Sequence, residues 1–264
     1  MNKKNPVVFV GAGPGHPDLI TVAGRRALEE ADLVVYAGSL VSPEMLTWCK
    51  PGAETVDSAG LDLDEIVEAM IKGRQGGRRV VRLHTGEPSL YGAVREQYRA
   101  LDRAGVPFEV IPGVTAAFAA SAALGMEYTL PEVCQTLILT RAAGRTPVPE
   151  KEDLAALAAH GASLAIYLSA SQAAKVGPVL ALAYGEQAPL VVAYRVSWPD
   201  QELFWTTPSG LARDLEEKGI KRQALILAGP GVTALQKGET KPSRLYDSTF
   251  SHGFRIAKDS GEKD

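Results

Sequence analysis

A short glycine-rich segment near the start of the chain is the first candidate for chemistry. Gly11-Ala12-Gly13-Pro14-Gly15 follows an apolar run and precedes residues with helical spacing. A turn of this type brings the backbone close to a ligand, and in dinucleotide-binding proteins its N–H groups hold a pyrophosphate. A plain tight turn between a strand and a helix gives the same pattern, so the segment alone leaves both interpretations open.

Three features argue against a dinucleotide site. His16 stands where the fingerprint requires its third glycine, and Pro14 removes one N–H donor from the loop. The second predicted strand ends at Ala37-Gly38 without the carboxylate that binds a ribose, whereas Asp32 lies at the start of that strand. The loop is better suited to a flat ligand without phosphate groups, such as S-adenosylmethionine (SAM), because Pro14 can pack on the adenosine.

Composition and charge limit the classes of function. The 264 residues carry a formal net charge of −3, which argues against a general nucleic-acid-binding protein. The two cysteines, Cys49 and Cys134, do not have the spacing of metal ligands, so we expect no metal site and a reducing, cytoplasmic location. No apolar run approaches the ~20 residues of a membrane span, so we expect no membrane partner.

Strand and helix patterns alternate along the first half of the chain, which is typical of an open, mainly parallel α/β sheet. Short apolar runs predict the strands, and amphipathic spacing predicts the helices. The predicted strands are 7–10, 33–36, 79–83 and 108–111, and the predicted helices are 18–30, 63–73 and 93–104.

The second half predicts a further α/β unit with a mixed sheet, in which residues 202–206 pair with 190–196 as a hairpin. We therefore predict two α/β domains, 1–124 and 125–235, and a partly flexible tail, 236–264, whose last eight residues are expected to be mobile. The predicted strands are 135–140, 163–168, 190–196, 202–206 and 224–228, and the predicted helices are 153–160, 172–182 and a part of 207–219.

Four segments of the chain, in this order, resemble the motifs of the tetrapyrrole (corrin/porphyrin) methylases. They are VGAGPGHPDLIT at 10–21, RLHTGEPSLYG at 82–92, IPGVTA at 111–116, and LP followed by QTLILTR within 130–141. Each segment alone is weak, but together they are specific and cover essentially the whole chain. The resemblance implies the class III SAM methyltransferase fold, with two α/β domains, SAM bound in the cleft between them, and a homodimer.

Finer features resemble the members that methylate C11 of precorrin-4 or cobalt-precorrin-4. These features are YAGSLV at 36–41, YRVSWPD at 194–200 and the tail segment 243–252. The uroporphyrinogen methyltransferases usually carry an Asp where this chain has Ala37. The resemblance implies C11 methylation that gives (cobalt-)precorrin-5 in cobalamin biosynthesis, and it leaves open whether the substrate already carries cobalt.

The resemblance also implies a set of residues that bind SAM. Methyl transfer from a sulfonium depends on positioning more than on acid–base groups, so we expect neither a metal ligand set nor a covalent nucleophile. Glu87 and Tyr91 are the candidate catalytic residues that assist proton loss, although a loop cap or a contact to SAM is the favoured alternative for Glu87. The implied SAM set is Pro14, Thr85, Gly86, Glu87, Leu90, Thr115, Ala116, Leu168, Val196 and Ala228, with Gly229 beside it.

The implied substrate is a tetrapyrrole that carries several carboxylates. Guanidinium groups match carboxylates in geometry and charge, so arginines beside the motif loops are the candidate ligands. For each of them a solvated surface position is an equal alternative. The candidate substrate-binding residues are Arg82, Arg95, Arg141, Arg195 and Trp198, with Arg145 nearby; Trp198 would stack on the macrocycle or pack within its hairpin.

Several alternatives stay open at this point. One is another tetrapyrrole methylase, acting on a different corrin position, on uroporphyrinogen III, on RNA or on diphthamide; the acidic composition argues against RNA. A second is an NAD-dependent oxidoreductase, against which His16 and the missing carboxylate after the second strand argue. A third is a metabolite-binding protein without catalytic activity, which would give no reason for the features around Trp198.

Overall fold

The computed structural model describes residues 5–238 and 242–257, and it contains two compact α/β units. The first unit contains the residues up to Leu124 together with Ala193–Leu203, and the second contains the remainder. The segment Ala193–Leu203 thus belongs to the first unit, although the sequence placed it in the range of the second domain.

The first unit contains a five-stranded sheet in the order β3-β2-β4-β1-β5, in which every neighbouring pair is parallel. The parallel sheet that the sequence predicted is therefore confirmed. Because all the strands run in one direction, the loops that follow β1, β4 and β5 leave the same edge side by side, where α/β sheets bind their ligands. The strands are β1 Val7–Gly11, β2 Leu33–Tyr36, β3 Glu54–Asp57, β4 Val80–His84 and β5 Phe108–Ile111.

The helices of the first unit cover both faces of this sheet. One buried cluster packs Phe9 against Met70 and Leu101, and the other packs Val10 against Leu28. Burial of a side chain of this size contributes about 1.5–3 kcal/mol to the free energy of folding. The two clusters therefore stabilise the sheet and, with it, the positions at which the loops after β1, β4 and β5 begin. The helices are α1 Val22–Glu30, α2 Leu63–Gln75, α3 Val94–Arg103 and α4 Ala116–Leu124.

Three elements of the first unit differ from the sequence prediction. The first helix begins at Val22 instead of residue 18, because the Thr21 hydroxyl caps it by accepting from the Gly24 N–H at 3.1 Å, and a separate 3₁₀ turn covers Pro17–Leu19. The edge strand β3 was not predicted, since its residues are mostly exposed and form no apolar run. The helix α4 was not predicted either, since its alanine-rich sequence has no amphipathic pattern.

The second sheet is mixed, as predicted, and its strands have the order β6-β7-β10-β8-β9. β6 is parallel to β7, β10 is antiparallel to β7, and β9 lies beside β8 as the hairpin prediction required. The strands are β6 Leu137–Arg141, β7 Ser163–Tyr167, β8 Leu190–Tyr194, β9 Glu202–Thr206 and β10 Ala224–Ala228. The helices are α5 Leu154–Ala158, α6 Ala173–Tyr184, α7 Leu211–Glu217 and α8 Pro230–Lys237.

The beginning of the predicted tail, at 236–237, is the last turn of α8, a helix that the sequence did not predict. The mobility expected for the last eight residues concerns 257–264, of which all but residue 257 lie outside the described residues. None of the described helices has the length and apolar character of a membrane-spanning segment.

Candidate cofactor and substrate site

The glycine-rich loop after β1 pairs with the loop after β4. The Ala12 N–H donates to the His84 carbonyl at 2.7 Å, the Gly13 N–H donates to the Gly86 carbonyl at 3.2 Å, and the Gly86 N–H donates back to Gly13 at 2.9 Å. Both glycines have positive φ, 76° and 58°, which other residues adopt only with strain. The two motif loops are thus joined by backbone hydrogen bonds beyond the end of the sheet.

The loop after β5 meets these two loops backbone to backbone. A β-carbon on Gly11 would lie 2.6 Å from the Gly113 Cα, and a β-carbon on Gly113 would overlap the Gly86 carbonyl oxygen. No side chain fits at either position. The first three family-like segments therefore form one rigid frame, and their glycines are explained by close backbone approach.

Glu87 braces this frame. Its carboxylate accepts hydrogen bonds from the Ser89 N–H at 2.9 Å and from the Gly113 N–H at 2.8 Å, so it ties the loop after β4 to the loop after β5. Burial raises the pKa of Glu87, but these hydrogen bonds outweigh it and hold the pKa below the usual value of 4.5. The geometry is that of an ionised loop cap, the alternative that the sequence favoured.

The residues after Glu87 form a tight and strained turn. Tyr91 and Ala93 have positive φ, 55° and 48°, and the Tyr91 side chain is 42% exposed. Backbone strain of this type costs about 1–3 kcal/mol per residue, persists where the surrounding structure imposes it, and is frequent at functional sites. Leu90 lies in the same turn, and its N–H donates to the Glu87 carbonyl at 3.1 Å.

Two threonines of the implied SAM set are also placed on the frame. The Thr85 hydroxyl donates to the Leu40 carbonyl at 3.2 Å, which joins the loop after β4 to the loop after β2. Thr115 is buried directly before α4, and its carbonyl accepts the Phe118 N–H at 3.1 Å in the first turn of that helix. Ala116 begins α4 and is partly exposed.

Three N–H donors of the glycine-rich loop are engaged inside the protein. The Ala12 and Gly13 N–H groups pair with the loop after β4, Pro14 has no N–H group, and the His16 N–H donates to the Ser197 hydroxyl at 3.0 Å. A pyrophosphate needs several free backbone N–H groups at such a turn. With these three N–H groups engaged and none on Pro14, the loop offers too few donors to hold a pyrophosphate, which agrees with a ligand that carries no phosphate.

Trp198 contacts the same loop from the segment between β8 and β9. Its indole N–H donates to the Pro14 carbonyl at 3.0 Å, and its ring occupies the space that a side chain on residue 15 would need. The Arg195 guanidinium lies over the indole at 4.1 Å, and Val196 between them is buried. The sequence predicted that Trp198 stacks on the substrate or packs within its hairpin, and the structure places its indole against the glycine-rich loop.

The four arginines proposed for the substrate lie in different environments. Arg82 is 3% exposed, donates to the Gln97 amide oxygen at 3.1 Å and the Val35 carbonyl at 3.2 Å, and has its pKa lowered to about 10 by burial. It is thus an internal residue of the first unit, and we remove it from the candidate substrate ligands. The other three keep at least partial exposure.

Arg141 organises the loop after β6. Its guanidinium donates to the carbonyls of Ala142 at 3.3 Å, Thr146 at 3.1 Å and Pro147 at 2.7 Å. Carbonyl partners leave its positive charge uncompensated, so the group can still attract a carboxylate. Arg95 lies on the exposed side of α3, and Arg145 is exposed in the loop that Arg141 holds.

The residues implied from the second unit do not come together. Leu168 directly follows β7, is 65% exposed and has a φ of 54°. Ala228 pairs with Leu164 on the antiparallel strand β10 and is 0% exposed. Four residues along a strand span roughly 13 Å, so Leu168 and Ala228 lie at opposite ends of this strand pair. Leu168, Ala228 and the adjacent Gly229 stay candidate SAM residues that are implied by the sequence.

His84 and Asp57 are further polar residues near the frame whose roles sequence reasoning did not assign. His84 ends β4, and burial together with the nearby Arg82 charge lowers its pKa to about 4, so it is neutral at physiological pH. Asp57 ends the unpredicted strand β3, and its carboxylate accepts the Gly38 N–H at 3.0 Å. Asp57 thus shapes the loop after β2, in which the chain carries Ala37.

Comparison with known proteins agrees with this architecture. The family model described as "Tetrapyrrole (Corrin/Porphyrin) Methylases" matches residues 6–212, and the chain belongs to that family. This confirms the family that the four sequence segments indicated.

Individual relatives give a finer comparison. The chain is 45% identical to the cobalt-precorrin-4 C(11)-methyltransferase of Methanocaldococcus jannaschii, over 97% of this chain and 98% of that protein. A solved cobalt precorrin-4 methyltransferase of cobalamin biosynthesis superposes with a TM-score of 0.83 at 47% identity, covering 86% of this chain and 95% of the other. A uroporphyrin-III C-methyltransferase of Thermus thermophilus in complex with S-adenosylhomocysteine superposes with a TM-score of 0.70 at 25% identity, covering 90% and 96%.

Proposed function

We propose that the protein transfers the methyl group of SAM to C11 of precorrin-4 or cobalt-precorrin-4, giving (cobalt-)precorrin-5 in cobalamin biosynthesis. The 45% identity to a C11-methyltransferase over nearly the full length of both chains carries this proposal. The structure adds an independent argument against an NAD enzyme, since the N–H groups of Ala12, Gly13 and His16 are engaged within the protein and Pro14 has none.

The proposed SAM site is built on the frame of the first unit. The proposed SAM residues of the first unit are Pro14, Thr85, Gly86, Leu90, Thr115, Ala116 and Val196, and Leu168 and Ala228 remain candidates from the second unit. SAM supplies an activated methyl group on a sulfonium, and the C11 carbon of the substrate is nucleophilic by itself. The frame therefore needs to hold the two carbons in line at about 3 Å, and placement of this quality accounts for several kcal/mol of barrier lowering.

Proton loss after the transfer needs little assistance. Both Glu87 carboxylate oxygens are engaged by backbone N–H groups, so we assign Glu87 to bracing the frame. Tyr91 stands exposed on the strained turn, and we propose it as the residue that assists proton loss. Arg141 and Arg95 are the proposed partners of the substrate carboxylates, because the charge of neither is used by a carboxylate among the described ion pairs.

The test uses SAM labelled on its methyl carbon with precorrin-4 and cobalt-precorrin-4 in parallel. Label at C11 of either product, located by NMR, is the expected result. The substrate that is methylated faster shows whether the protein acts on a precursor with or without cobalt. Label at another ring carbon would assign a different position within the family. Calorimetry provides a cheaper first step, since binding of NAD without binding of SAM contradicts the proposal as a whole.

We further propose that the protein works as a homodimer in the cytoplasm. The dimer rests on the family resemblance. The location rests on the two free cysteines and on a composition that is ordinary for a globular protein. Sedimentation velocity of the purified protein at micromolar concentration is expected to give twice the 28.0 kDa mass of one chain. A single species of monomer mass would refute the dimer, and recovery with the membrane fraction of lysed cells would refute the location.

A further inference from the structure

We propose that Trp198 is a positioning residue: it clamps the glycine-rich loop in its ligand-binding shape, and residue 15 is glycine because the Trp198 indole fills its side-chain space. The effect on SAM binding rests on the proposed function, whereas the coupling between the two residues does not.

The contact between Trp198 and Gly15 is unusually close. The three nearest atoms to a β-carbon built on Gly15 all belong to the Trp198 indole, and two of them lie closer than real β-carbons approach any atom. Gly15 does not have a positive φ, so its backbone conformation would accept an alanine. The indole, not the backbone, is therefore what requires glycine at this position.

Two hydrogen bonds fix the clamp to both sides of Gly15. The indole N–H donates to the Pro14 carbonyl at 3.0 Å, before Gly15, and the Ser197 hydroxyl accepts the His16 N–H at 3.0 Å, after it. With Gly13 also paired to Gly86, hydrogen bonds hold the loop on both sides of Pro14. The position of Pro14, which we propose to pack on SAM, is thus set by hydrogen bonds of the residues around it.

The segment that carries Trp198 is itself braced. The Trp198 N–H donates to the Arg195 carbonyl at 2.9 Å, and the Ser197 N–H donates to the Gln201 amide oxygen at 2.8 Å. The Arg195 guanidinium stacks on the indole, and its Nε lies 2.8 Å from an Asp200 carboxylate oxygen, an ion pair without ideal hydrogen-bond angles. Arg195 thereby serves the clamp, and we assign it to the indole instead of the substrate.

Backbone strain supports a functional role for this turn. Arg195 and Ser197 have φ values of 43° and 68°, although neither is glycine. Strained residues of this type cluster where a structure must hold a particular geometry. Here the strain aims the indole and the Ser197 hydroxyl at the glycine-rich loop.

A double-mutant cycle tests the clamp. Gly15→Ala, Trp198→Ala and the combination are compared with the full-length wild type by SAM affinity and by melting temperature. We expect each single variant to weaken SAM binding by roughly tenfold, the effect of one lost hydrogen bond and its packing. Gly15→Ala is expected to add little in the Trp198→Ala background, because the space it needs is then free. Independent, additive effects would overturn the proposal.

Two further variants separate the parts of the clamp. Trp198→Phe keeps most of the packing and removes the N–H donor, so its loss of SAM affinity should lie between wild type and Trp198→Ala. Trp205→Ala, an exposed tryptophan of β9, is the matched control and should leave SAM affinity unchanged. If the wild type binds no SAM, the proposed function fails, and the melting-temperature cycle still decides whether Gly15 and Trp198 are coupled.

Discussion

At the scale of single residues, the frame is held by backbone contacts that leave no room for side chains. Gly113 is the clearest case, because a β-carbon there would overlap the Gly86 carbonyl oxygen, and neither backbone can yield without opening the loop pairing. Sequence reasoning located this glycine within a motif, but which backbone it faces becomes visible only in three dimensions.

Gly113→Ala is therefore expected to lower the free energy of unfolding by at least about 2 kcal/mol, the usual cost of overpacking. Urea denaturation measures this directly. Gly60→Ala is the control, since a β-carbon there meets nothing and its φ is not positive. Equal stability of the two variants would contradict the close packing of the frame.

Glu87 gives a residue-scale prediction about pH. Its pKa is lowered in the folded protein, so the unfolded chain binds more protons and the stabilisation is present above about pH 4.5 and lost as pH falls through the folded pKa. Glu87→Gln should cost about 2 kcal/mol at pH 7, the value of hydrogen bonds to a charged group, and less at pH 3.5. Unfolding curves at the two pH values measure this, with the exposed Glu109→Gln as control. A pH-independent difference would assign the effect to packing.

At the scale of elements, the buried strands could be predicted and the exposed ones could not. β1 and β2 are short apolar runs because both faces of the sheet are covered, and such runs can be recognised in the sequence. β3 has no such run, since its position at the sheet edge leaves most of its side chains exposed. The beginning of α1 was placed too early because the 3₁₀ turn before it continues the same apolar spacing.

The N-terminus of α2 allows a prediction about a single element. Asp62 accepts the Glu65 N–H at 2.9 Å while the Glu65 carboxylate accepts the Asp62 N–H at 2.9 Å, which is a complete capping box. Asp62→Ala should lower the free energy of unfolding by about 1 kcal/mol, and Asp62→Asn, which keeps the acceptor, by only a few tenths. Thermal unfolding of both variants checks the order, and an equal loss would show that the cap contributes nothing.

At the scale of the whole molecule, the chain leaves the first unit and returns to it much later in the sequence. The segment Ala193–Leu203 belongs to the first unit but is flanked in sequence by residues of the second. Sequence reasoning placed one boundary near residue 124 and found no sign of this return, because a contact between residues 184 positions apart leaves no local pattern. It is also why the partner of Trp198 could not be identified from the motif alone.

A cut in the chain tests how strongly the first unit depends on this return. A protease site inserted between Pro199 and Asp200 should, after cleavage, lower the melting temperature and weaken SAM binding. The cut separates Trp198 from Asp200 and Gln201, whose contacts with Arg195 and Ser197 hold the indole in place. The same insertion between Gly185 and Glu186, in an exposed turn before β8, is the control and should change neither. Identical behaviour of the two cleaved proteins would show that the returning segment adds no stability to the first unit.

The indole on Gly15 also predicts how the family varies. When one side chain fills the space of another, the two positions cannot change independently, so their substitutions should be correlated across relatives. Members that carry a residue larger than glycine at position 15 are expected to carry one smaller than tryptophan at 198. Members that keep tryptophan should keep glycine. An aligned set of methylases in which the two positions vary without regard to each other would show that the contact is peculiar to this chain.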